Sequence, residues 1–179
     1  MHFSDIYSIS KEAELVHSSV NQFYDDKPYF YHLNMVVSLI EKYGYEVICN
    51  ENDILPVIFA GFFHDSIEDA RLTYNDVKKI ALKYMGEFYA TMATEIVYAL
   101  TNEKGRNRHE RANDKYYEGI RNTKYASFIK LCDRYSNMKY SLDNKSRMYD
   151  IYKKELKEFL SKIDSPLQSK TLLNKINEL

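Results

Sequence analysis

Four ionisable residues crowd the most apolar part of this chain. In FAGFFHDSIEDA, residues 59–70, His64 and Asp65 follow an unbroken apolar run, and Glu68 and Asp69 come four positions later. A buried ion without a partner costs several kcal/mol, so these groups need compensation, and a divalent cation supplies it. If the helix runs on past Phe63, the i,i+4 spacing stacks His64 with Glu68 and Asp65 with Asp69 in two rows that face one pocket. His64 and Asp65 would then hold the cation, while Glu68 and Asp69 would hold or deprotonate a water. Standing alone, the segment has a plainer reading: a satisfied core histidine followed by carboxylates at a solvated helix end.

Two further stretches favour the metal. KPYFYHLNMV places His32 at the start of an amphipathic segment, and FIKLCDRYSNM places Asp133 one helical turn after Ile129, leaning toward an apolar stripe. His32, His64, Asp65 and Asp133 would give two imidazoles and two carboxylates on three helices, a set that suits Mn, Fe or Zn and leaves positions for water and substrate.

With these residues in this order, the chain resembles the HD-domain metal-dependent phosphohydrolases over about residues 29–138. HDSIED is similar to the HDxxED form of the alarmone hydrolase branch found in RelA/SpoT-type proteins and their small relatives, and KLCDRYSNM resembles that branch's K-L-x-D-(R/K)-x-x-N-(M/L) helix. The resemblance implies an all-helical bundle and a metal, Mn2+ in that branch, on His32, His64, Asp65 and Asp133. It also implies that Glu68 and Asp69 position the attacking water and that Asn137 contacts a nucleoside. Asn137 has a second role open to it, a hydrogen bond that fixes its own helix.

The segment before His32, VNQFYDDKPYFYH, departs from that branch: Asp25 and Asp26 stand where basic and small residues are common, with Lys27 the basic residue there. NEKGRNRHERANDK supplies Lys104, Arg106, Arg108, Arg111 and Lys115 instead, and on one continuous helix Arg108, Arg111 and Lys115 would share a face. Arginine forks beside a metal suit a di- or triphosphate, so Lys104, Arg108, Arg111 and Lys27 join Asn137 as candidate substrate contacts. A solvated basic face is the plain alternative. His2, His17 and His109 read as surface or structural, and Ser66 as a helix-end hydroxyl.

The elements that must carry these residues are helices. With 5 Gly and 3 Pro in 179 residues, breakers are few and apolar residues recur at helical spacing, so the fold class is all-α, one domain around a buried central helix, which the resemblance implies is an HD-domain bundle. Leu33, Val36, Val37 and Ile40 mark a helix ending near Gly44. Ile54 to Phe63, capped by Asn52 or Asp53, is apolar all round and belongs at the centre. Thr73 with Asp76 opens the next helix, stopped by Gly86, and Phe88, Met92, Ile96 and Leu100 carry another. Further helices are expected over 108–121, 124–140 and 147–162, with a short last one after Pro166.

Composition narrows the partners. With 25 basic and 26 acidic residues the chain has no field for nucleic acid or anionic membrane, so a small partner is expected, and the resemblance implies that it is a nucleotide. Self-assembly is left open. Cys49 and Cys132 lack a paired motif and read as buried apolar residues, and with neither a leader pattern nor a membrane-length apolar run the expected compartment is the cytoplasm. The expected activity is Mn2+-dependent hydrolysis of guanosine 3',5'-bis(diphosphate) to release its 3'-diphosphate. A 5'-nucleotidase or cyclic-nucleotide phosphodiesterase is the alternative, and a non-catalytic nucleotide- or metal-binding module stands behind both.

Overall fold

The structure, a computed structural model, describes residues 3–179, apart from the side chains of Phe3, Arg108 and His109. At its centre is α3, Ile54–Phe63. Pro56 falls in its first turn, where a missing N–H leaves no bond unmade, and every residue from Pro56 to Phe63 is buried. It is enclosed by α1 (Phe3–Ser18), α2 (Phe30–Tyr43), α5 (Glu87–Leu100) and α8 (Ala126–Asp143). α2 lies close because Gly61 has no side chain: a Cβ there would come within 2.5 Å of Ile40 Cδ1 and 3.1 Å of Val37 Cγ2. α4 (Tyr74–Ala81) packs on α5, α7 (Asp114–Asn122) on α5 and α8, α9 (Met148–Lys162) on α8, and α10 (Lys170–Glu178) closes the far side of α8. The fold is an all-α bundle. No helix among the described residues is long and apolar enough to cross a membrane.

Several expected boundaries hold. α2 ends at Gly44, Thr73 and Asp76 form the expected capping box at the start of α4, and α8, α9 and α10 lie where periodicity puts them. Others need correction. α3 does not run past Phe63: residues 64–69 form successive turns, with the Ser66 N–H bonded to the Phe63 carbonyl and the Asp69 N–H to the Asp65 carbonyl. The Ala70 and Leu72 N–H groups both return to the Ser66 carbonyl and Arg71 sits at φ 62°, so the segment winds back on itself instead of extending α3.

The expected helix over 108–121 is two pieces, α6 (Arg108–Arg111) and α7, because the Asn113 side chain caps α7 by accepting from the Tyr116 N–H. The continuous helix on which a shared basic face depended is lost with it, and Lys115 pairs with Glu103 at 3.0 Å. Gly86 does not stop α4, which ends at Ala81; it is the extended residue that begins α5. Asp53 precedes α3 but caps nothing, since its carboxylate accepts from Lys124 Nζ and Tyr125 OH, each at 2.7 Å. Cys132 is buried as expected, but Cys49 is exposed.

Two elements went unread in the sequence. α1 buries Ile9, Ala13 and His17 against the bundle. A hairpin pairs β1 (Phe23–Tyr24) antiparallel to β2 (Lys27–Pro28), with Asp25 at φ 58° in its turn, and delivers the chain to α2.

Candidate metal centre

His32 lies in the first turn of α2, His64 directly follows α3, Asp65 comes next, and Asp133 is midway along α8. The close approach of α2 to α3 and of α8 to both turns these four side chains together. His32 Nε2 lies 3.3 Å from His64 Nε2 and 3.3 Å from Asp133 Oδ1. Asp65 Oδ2 lies 2.9 Å from His64 Nε2 and 3.7 Å from His32 Nε2, and Asp133 Oδ1 lies 4.0 Å from His64 Nε2. The His32, His64 and Asp65 donor atoms all fall within 4.8 Å of one another, so this group could hold a metal ion.

The chemistry of the donors supports that. His64 Nδ1 is 2.8 Å from the Gly61 carbonyl, which can only accept, so Nδ1 carries the proton and Nε2 presents a lone pair. That lone pair faces a second imidazole and two carboxylates, an array of acceptors that needs a proton or a cation in its midst. Metal–ligand distances of about 2.1 Å put neighbouring ligand atoms roughly 3.0 to 3.4 Å apart; the separations of 2.9, 3.3 and 3.3 Å lie close to that, while those of 3.7 and 4.0 Å are wider. Without the cation, protons do the work. Burial pushes the His64 imidazole down, but Asp65 and Asp133 outweigh it and lift it to about 9. Asp133 is buried too and Asp65 is partly so, yet the neighbouring positive groups hold both below the usual carboxylate range: His64 first for Asp65, Lys130 first for Asp133.

The surroundings fix each ligand differently. Asp65 Oδ2 accepts from Tyr29 OH at 2.5 Å. Asp133 Oδ2 accepts from Lys130 Nζ at 2.9 Å, and its Oδ1 from Asn137 Nδ2 at 2.5 Å. The His32 ring stacks on Tyr24 at 4.8 Å, and its buried Nδ1 has no hydrogen-bond partner among the described residues. Tyr24 in turn donates to Asn137 Oδ1 at 2.8 Å. Behind Tyr29 stacks His17, buried, with neither ring nitrogen hydrogen-bonded to a described residue; burial pushes its imidazole down to about 4.

The centre opens on a cleft of about 560 Å³, lined in part by Asp65, Asp133, Glu68, Asp69, Asn137 and Arg111. Asp69 is half-buried beside the ligands; burial and the Asp65 carboxylate raise it to about 6 against the lowering effect of Tyr29. Glu68 points elsewhere than a stacked row requires. Asn102 Nδ2 donates to both its oxygens, at 2.9 and 2.8 Å, and Arg111 Nη1 lies 3.7 Å away.

Of the expected substrate contacts, Asn137 and Arg111 line this cleft, whereas Lys104 and Lys27 do not. Lys27 pairs with Asp26 at 3.0 Å on the hairpin, and Lys104 is exposed on the loop after α5. The Arg108 side chain, like His109 and His2, lies outside the described residues. Residues the sequence reading passed over are Tyr24, Tyr29, Lys130, Asn102 and Arg134. Tyr29 and Lys130 stand three positions before His32 and Asp133, and that helical spacing was the available signal. Arg134, buried over the Phe159 ring at 4.1 Å, brings a further cation to the cleft wall. No protein-family model matches the chain and no curated protein matches it. What the centre can do therefore rests on its own geometry.

Proposed function

We propose that the protein is a metal-dependent phosphohydrolase acting on a small nucleotide, most specifically a Mn2+-dependent guanosine 3',5'-bis(diphosphate) 3'-pyrophosphohydrolase. The observation that carries this reading is the convergence of two imidazoles and two carboxylates on the wall of an open cleft, with the Asp69 carboxylate one turn from Asp65. A bound divalent cation would supply Lewis acidity toward a phosphoryl oxygen and make water easier to deprotonate.

The chain's own groups do the rest. Asp69, next to the ligands and within the cleft, takes the proton of the attacking water. Glu68 anchors the loop that carries Asn102, and Arg111 beside it meets phosphate charge. Asn137, already hydrogen-bonded to Asp133 and Tyr24, presents the floor of the cleft to the substrate. The alarmone assignment draws support from HDSIED and KLCDRYSNM. A nucleotidase or cyclic-nucleotide phosphodiesterase is favoured instead by the acidic hairpin, whose Lys27 is spent on Asp26 away from the cleft.

The test is a panel of nucleotides assayed with and without Mn2+. The expected outcome is Mn2+-dependent pyrophosphate release from guanosine 3',5'-bis(diphosphate). Faster turnover of monophosphates or cyclic nucleotides would move the assignment to the second reading, and full activity in verified metal-free protein would end both.

A further inference from the structure

Lys130 is a largely buried cation that neutralising Asp133 does not fully explain. It stands one turn before Asp133 on α8 with 16% of its side chain exposed, and its Nζ donates to Asp133 Oδ2 at 2.9 Å. The other Asp133 oxygen faces the imidazoles. Its Nζ also lies 5.8 Å from the centre of the Tyr116 ring, whose hydroxyl donates to the Leu100 carbonyl at 3.1 Å. An ammonium has three N–H donors and the bond to Asp133 uses one, so donors are left for the cleft that Lys130 lines.

Charge decides what that donor is for. A divalent cation at the centre is balanced by Asp65 and Asp133, and Glu68 is balanced by Arg111. Arg134 pairs with Glu155 and Lys162 with Glu158, so Lys130 and Asp69 remain, a donor and a base on one cleft. A lysine kept from water beside a cation already neutralised by its carboxylates is costly unless an anion arrives to meet it. A phosphoryl group docked at the metal is such an anion.

We infer that Lys130 is a further catalytic residue, its ammonium contacting a non-bridging oxygen of the phosphoryl group under attack. This rests on the phosphohydrolase reading above. In the step, the water oxygen bonds to phosphorus and its proton passes to Asp69. The bond from phosphorus to the ribose oxygen breaks, and that oxygen keeps the electron pair and picks up a proton from solvent. Lys130 stays protonated throughout and holds the charge that builds on the equatorial oxygens.

The experiment compares the full-length protein with Lys130→Met and Lys130→Arg by circular dichroism, Mn2+ titration calorimetry, inorganic pyrophosphate binding to the Mn2+-loaded protein, and steady-state kinetics. The methionine variant should be folded and bind Mn2+ within about threefold of the parent, yet bind pyrophosphate roughly tenfold more weakly and lose ~10² in kcat with KM little changed. Arginine should restore part of both. A loss of Mn2+ affinity that saturating Mn2+ fully repairs, kcat included, would reduce Lys130 to a support for Asp133 and overturn the inference. If the methionine variant does not fold, Lys130→Gln is read by the same measurements. Should the parent hydrolyse no nucleotide, the functional reading fails, and pyrophosphate binding still tests Lys130: no binding, or equal binding by parent and variant, refutes the contact.

Discussion

The two ends of the cleft are built on different terms. At the metal end, His32, His64, Asp65 and Asp133 come from helices or a helix terminus packed around α3, and His32 and His64 are almost wholly buried. His64 is pinned by Gly61, Asp65 by Tyr29, and Asp133 by Lys130 and Asn137. At the other end, Glu68, Asn102 and Arg111 sit on turns and a four-residue helix, and Arg111 is 45% exposed. An ion pair at 3.7 Å with that exposure is worth little and is easily exchanged. The first end has the rigidity that holding a metal would demand, whereas at the loop end Arg111 can leave Glu68 at small cost.

If that contrast is right, damage at the metal end should be all-or-none. Asp133→Ala removes a ligand and strands Lys130, so metal binding by calorimetry and turnover should both disappear, a loss of ~10³ or more in kcat/KM. Retained metal with lost turnover would make Asp133 something other than a ligand. Asp69→Asn keeps shape and removes basicity, so kcat should fall ~10² to 10⁴ while Mn2+ affinity is kept; a simultaneous loss of metal would move Asp69 into the coordination shell.

His17 gives the comparison a thermodynamic edge behind the metal end. Its imidazole is held near 4 in the fold but titrates near 6.5 when unfolded, so the unfolded chain binds the extra proton between those values. Its contribution is complete above pH ~6.5 and is lost as pH falls toward 4, about 2 kcal/mol between pH 7 and pH 5. Urea unfolding at those two pH values should show His17→Phe, which can still stack on Tyr29, losing correspondingly less stability than the parent. The smallest effect belongs to the loop end. Arg111→Ala should raise KM for a diphosphate-bearing nucleotide about tenfold and leave kcat nearly untouched, while Lys27→Ala changes neither, since Lys27 stands off the cleft. A KM effect at Lys27 would show that the hairpin folds over bound substrate.

The same contrast explains what could be read from the chain. The donors His32, His64, Asp65 and Asp133 were legible because helical periodicity fixes direction: an apolar stripe says which way His32 and Asp133 face once the bundle forms. Glu68 was placed on a continuing helix, and the turns of 64–69 sent it to Asn102 instead. The basic run split one way and another, Arg111 on the cleft and Lys104 off it, because side chains on irregular backbone have no period from which to infer a face. Tyr24 was invisible for a related reason. A two-residue strand carries no pattern, yet it supplies the ring that His32 stacks on and the hydroxyl that bonds Asn137.

Gly61 acts as the gauge block of the centre. The atom it lacks lets α2, with His32, settle against α3, whose end presents His64, and its carbonyl holds the His64 ring in place. The 3.3 Å between the two imidazole nitrogens is therefore a dimension set three residues upstream by an absent methyl group. Any side chain at position 61 must first displace the Ile40 Cδ1 methyl and press on Val37 Cγ2, both on the face of α2 that packs against α3. What is admissible at this apolar position is thus limited by how closely the helix that carries His32 must pass the one that ends at His64.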